Sequence, residues 1–168
     1  MLIYHQRNDV FHCVFRFLSI LELSENNTIE LDRLKIVDFY FVFPHLLTNT
    51  TLPRVAGSSK IKKHAQTLSV PYENLPSCKI LFSEMGDFQS QALDILRSKQ
   101  LLDIDESNNV SLGSSFHSPE IMAFLNESTY VSSAFYKNVV QVLLKCNLYG
   151  ANGLKSKTGL MEYRYDAV

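Results

Sequence analysis

Cysteine is scarce and scattered: Cys13, Cys78 and Cys146 stand far apart and in odd number. Such a set builds no disulfide framework, and no CxxC or Cys/His spacing points to zinc. Each lies in an apolar context, where buried free thiols are found. An excess of one charge is also missing: 16 Lys+Arg stand against 17 Asp+Glu, a net charge of −1. Nothing therefore pulls the whole chain toward nucleic acid. No apolar run crosses a bilayer, which takes about 20 residues. MLIYHQRND has neither the basic start nor the apolar core of a secretory signal. The expectation is a cytoplasmic, reduced protein without membrane contact, in which the sequons at Asn26, Asn49 and Asn126 are chance matches. Motifs of chemistry are missing as well: no GxxxxGK[ST] loop, no GxGxxG, no GxSxG elbow and no HExxH. No catalytic, cofactor-binding or metal-binding residue is therefore expected, and no cofactor or small-molecule substrate.

What is present is core material. Of the 168 residues, 46% are hydrophobic and 11% aromatic, while 20% are charged, slightly low for an independent monomer. The most apolar stretch, Leu31 to Leu47, is interrupted by Asp38 and closed by Pro44. It reads as a buried helix ending near Phe43, because proline has no amide to donate. Its aromatics Phe39, Tyr40, Phe41 and Phe43 exceed what one small layer covers, so they are candidate partner-binding residues. Before it, Asn8 to Leu23 repeats apolar residues at helical spacing with a narrow polar stripe, which predicts a helix buried on several sides and capped by Asn8.

Further along, Pro, Gly, Ser and Thr break the pattern between Thr48 and Pro76, leaving one short helix from Ser59 to Leu68. Lys79 to Met85 predicts a short helix interrupted by Gly86, and Phe88 to Gln100 a second one capped by Asp87. Two short strands, 101–104 and 110–112, flank turn residues. Ser118-Pro119-Glu120 starts a helix, and 131–148 predicts a longer one capped by Gly150. The fold class is mainly α with a short β-hairpin, winged-helix-like, with a tandem winged helix as its extended form. The expected division is a helical lobe over 1–70, a second winged-helix-like lobe over 71–150, and a tail over 151–168 that orders on a partner and offers Tyr163 to it.

Asp38 amid apolar neighbours is costly unless paired. Arg16 and His12 are its candidate partners, which makes Asp38, Arg16 and His12 a structural buried polar set in preference to a general base and its helper. Arg54, Lys60, Lys62 and Lys63 are the candidate phosphate contacts. The helix from Phe88 offers Gln89, Ser90, Gln91, Asp94, Arg97 and Lys99, a poor reader of the major groove.

Tyr4-His5, Asn8-Asp9, His12 to Arg16, Ile29 to Tyr40 and Phe43-Pro44 together resemble the middle component of bacterial ABC-three-component systems, which include Lamassu-type defence operons. The segment IELDRLKIVDFYFVFP is the most specific part; Gln6 stands where the resemblance leads one to expect proline. The resemblance implies a non-enzymatic adaptor in defence against phage or plasmids. It would bridge an SMC-like ATPase and a nuclease or other effector, help hold that effector inactive, and meet DNA only within the assembly. The alternative from the residues alone is a winged-helix DNA-binding transcriptional regulator.

Overall fold

The computed structural model describes residues 5–166. Helix α1 spans Val10–Leu23, and its cap is Asp9 rather than Asn8: the His12 backbone N–H donates to the Asp9 carboxylate at 3.0 Å. A turn with Asn27 at φ 53° leads into a strand that the sequence reading missed, β1 at Thr28–Glu30. Helix α2, Leu31–Val42, follows at once and stops ahead of Pro44 as expected. A 3-10 turn over Pro44–Thr48 leads to α3, Ser58–Ala65. Gly57 precedes α3 at φ 97°, where a Cβ would also strike Val142 Cγ2 at 2.8 Å.

Helix α4 runs unbroken over Cys78–Ser98, capped by Ser77 and passing through Gly86. A glycine inside a helix costs about 1 kcal/mol relative to alanine. The buried stripe of Leu81, Met85, Gln89, Ala92, Leu93 and Leu96 outweighs that cost. The hairpin is β2, Leu102–Ile104, and β3, Asn109–Leu112. The Asp105 carboxylate holds its turn, accepting from the Ser107 and Asn109 amides at 2.8 Å each.

β3 lies between the other two strands, antiparallel to both, and pairs Val110 with Ile29 on one side and Ile104 on the other. The order α1-β1-α2-α3-α4-β2-β3 with sheet order β1-β3-β2 is that of a single winged-helix-like unit with α3 inserted. The sheet therefore ties residues 28–30 to 109–112, across the expected boundary at residue 70. A single buried core cluster runs from Cys13 to Leu160. Local periodicity cannot show such a pairing, because the two strands are some eighty residues apart.

The remaining helices pack on this unit. They are α5 at Pro119–Asn126, α6 at Thr129–Ser132, α7 at Ala134–Lys145 and α8 at Leu154–Thr158. The expected long helix over 131–148 is broken at Ser133, which is extended at φ −80°, ψ 123°. Serine hydroxyls compete locally with helical bonding: Ser128 caps α6, and Ser132 Oγ donates back to the Thr129 carbonyl. The tail is folded on the chain itself. Leu154 and Leu160 are buried, and Lys155 Nζ donates to Asp32 on α2 and to Asp166, both at 2.8 Å.

Candidate interaction surface

Asp38 sits at the centre of the molecule with no accessible surface, at the meeting of α1, α2 and α4. Arg16 grips it from α1 in a forked pair, with Nε to one carboxylate oxygen and Nη2 to the other at 3.3 Å. Gln89 Nε2 donates to the same carboxylate at 2.9 Å and to the Lys35 carbonyl at 3.2 Å, and Arg16 Nη1 reaches the Gln6 carbonyl at 3.2 Å. Burial lowers the Arg16 pKa, but the Asp38 charge and hydrogen bonds more than reverse this and the net shift is upward. Burial, then the Asp38 charge, pushes the Cys13 thiol well above its ordinary value, which makes it a poor nucleophile. Three helices are fixed by one carboxylate, so the group serves as a structural hub. His12, the third member of the expected set, is half-buried on α1. Gln89 is corrected: it is a buried partner of Asp38 and no groove-facing side chain.

A second buried cation closes the other end of α2. Arg33 donates Nε and Nη2 to Glu30 at 2.7 and 3.1 Å, while its Nη1 donates to the carbonyls of Leu143 and of Cys146, the latter at 2.7 Å. Those carbonyls are at the C-terminus of α7, where a helix leaves acceptors open and favours a cation.

The aromatics expected to face a partner are turned inward. Phe39, Tyr40, Phe41 and Phe43 are 0, 1, 2 and 6% exposed. Phe39 contacts Phe82 on α4, and Phe41 stacks on Tyr130 and leans on Tyr136. The Tyr40 hydroxyl shares a hydrogen bond with Thr50 at 3.1 Å, and burial raises its pKa. The later helices α6 and α7 supply the cover that no single layer could. Tyr163 is half-exposed in the tail.

Exposed aromatics lie elsewhere. Phe11 on α1 is 76% exposed and Phe124 on α5 is 44% exposed, and between them Phe15 meets Phe124 edge-on at 4.5 Å. Together with His12 these rings line a shallow apolar groove. Phe15 also touches Tyr130 at 5.8 Å, which joins the surface ridge to the buried ring cluster. Sequence reasoning missed this ridge. The available signal was the Phe11–Phe15 spacing on a helix with more apolar circumference than the polar stripe could balance.

The charged surfaces divide in two. Arg54, Lys60 and Lys63 are exposed and Lys62 is half-buried. Arg54 and Lys62 flank one cleft between the loop at Leu52–Val55 and α3. By contrast, α4, in the recognition-helix position, and the hairpin beside it expose Glu84, Asp87, Asp94, Asp103, Asp105 and Glu106 against Lys79, Arg97 and Lys99. Phosphate would be repelled from this face. Among the described residues no cluster of His, Cys, Asp and Glu is arranged to hold a metal, and no helix is long and apolar enough to cross a membrane.

The fold and its surfaces thus define a winged-helix-like protein with an acidic helix–wing face and an exposed aromatic ridge. The chain belongs to the family described as ABC-three component (ABC-3C) system Middle Component 5, which matches residues 2–166. It is a middle component of an ABC-three-component defence system. No curated protein and no solved structure matches it.

Proposed function

We propose that this chain is the non-enzymatic adaptor of its three-component system, of the Lamassu type. It docks on an SMC-like ATPase and on a nuclease or other effector, and helps hold that effector inactive until phage or plasmid DNA is sensed in the cytoplasm. The observation that carries this reading is the charge of α4 and its wing. A winged helix whose reading face bears Glu84, Asp87 and Asp94 beside Asp103, Asp105 and Glu106 is suited to a protein partner, not to a duplex. The exposed cations Arg54, Lys60 and Lys63, with Lys62 beside them, are left to touch a phosphate backbone within the assembly.

The test is to express the tagged chain with the other two components, identify what co-purifies by mass spectrometry, and measure duplex binding of the isolated chain by mobility shift. Co-purification of an ATPase with long coiled coils and of an effector, with little duplex binding by the isolated chain, is the expected result. A chain that purifies alone and shifts a specific DNA fragment overturns the adaptor in favour of a regulator.

A further inference from the structure

We infer that the ridge formed by Phe11, Phe15 and Phe124 is a docking face for an amphipathic helix of another component, one that carries Lys or Arg beside its apolar stripe. The inference rests on the adaptor reading and assigns it a surface.

Two large aromatic side chains lie open to solvent side by side, and single exposed apolar residues would need no such neighbour. The rings of Phe15 and Phe124 are also pre-set. Phe15 is wedged between Phe124 and Tyr130, and Tyr130 stacks on Phe41 in the core, so the ridge loses little freedom when it is covered. Aromatic anchors held in this way carry a large share of binding energy at protein interfaces.

The rim chooses the occupant. Glu120 on α5 lies four residues before Phe124, and Glu127, which caps the C-terminal end of α5, lies three after it; both are exposed. Neither glutamate is in an ion pair among the described residues. An acidic rim round an apolar centre complements a basic amphipathic segment. It disfavours a second copy, since a two-fold pairing sets this patch on itself, and it disfavours anionic lipid. The ridge is built by two helices and presents side chains, with no free strand edge, so the match is to anchors spaced i, i+3 or i+4 on a helix.

The experiment compares full-length chains for binding to the other two components: wild type, Phe11→Glu with Phe124→Glu, and Glu120→Lys with Glu127→Lys. The aromatic double variant is expected to lose at least about 30-fold in affinity. The charge reversal is expected to lose about threefold to tenfold, by an amount that shrinks as salt rises. A photo-crosslinking phenylalanine analogue at position 11 or 124 is expected to capture a Lys/Arg-bearing helical segment of one component. If thermal melting shows the double variant unfolded, the cross-linking alone decides. Wild-type binding with unchanged affinity in both variants, or cross-links only to another copy or to an acidic segment, overturns the ridge and leaves the adaptor reading standing. Failure of the wild type to bind either component overturns both.

Discussion

The aromatic residues of α2 and those of the α1–α5 ridge make an instructive pair. Phe39, Tyr40, Phe41 and Phe43 are crowded in sequence and nearly inaccessible, while Phe11 and Phe124 are more than a hundred residues apart and open to solvent. Crowding on one helix means that several elements must cover it, and here α1, α4, α6 and α7 do so. A docking face needs only a few rings, brought together by the fold from separate helices. Density of aromatics along the chain is therefore a sign of core, and a pair meeting across elements is the better sign of an interface.

The comparison breaks most sharply at the hub beneath α2. Replacing Asp38 with Ala leaves the Arg16 guanidinium buried without its counter-charge, a change that costs ~3–5 kcal/mol. Asp38→Ala is expected to unfold or to melt far below wild type by circular dichroism. A melting point within a few degrees of wild type would remove the hub from the account. Asp38→Asn should recover part of the loss, because an amide oxygen can still accept from Arg16.

An effect of similar size tests the two aromatic groups against each other. Phe41→Ala opens a cavity between Tyr130 and Tyr136 and should cost ~3–5 kcal/mol, whereas Phe11→Ala on the surface should stay within ~0.5 kcal/mol. Denaturant unfolding of the two variants measures the difference. Equal losses would mean that Phe11 is part of the core and that the ridge is no free surface.

Much of this arrangement was legible in the residues. The apolar run with one carboxylate led directly to a buried Asp38 that needs a cation, and Arg16 was one of two candidates one helix away. The helix start at Pro119, the hairpin over 102–112 and the stop before Pro44 followed from local stereochemistry. What stayed hidden depends on contacts distant in sequence. β1 is three residues long and is a strand only because β3 lies beside it. Gln89 looked like a surface residue because its partner is fifty-one positions away. Gly86 looked like a break because the packing that overrides its propensity is not a local quantity.

The tail supplies the next effect. Lys155→Met removes a cation shared by Asp32 and Asp166 and seated 5.1 Å over the Tyr149 ring. The two carboxylates are then left together without their donor. The expected loss is ~1–3 kcal/mol, with trypsin and chymotrypsin cutting the tail beyond Gly159 faster than in wild type. Unchanged cleavage would show that Leu154 and Leu160 alone hold the tail in place.

The smallest effect concerns the far end of α2. The hydrogen bonds from Arg33 hold the Glu30 carboxyl below the usual carboxylate range, against the opposing effect of burial. A carboxylate depressed in the folded state lends stability that is complete above its unfolded value of about 4.3 and fades as the pH falls through the folded one. Glu30 is partly open to solvent, so its contribution is within ~1 kcal/mol. Melting curves of wild type and Glu30→Gln should therefore be offset at pH 7 and draw together as the pH is taken below 4. Arg33 keeps its bonds to the Leu143 and Cys146 carbonyls in either case, so the gap reports the carboxylate alone. A gap that stays constant down to pH 3 would mean that Glu30 acts through its packing and not through its charge, and the α2–α7 junction would then depend on Arg33 and the helix terminus only.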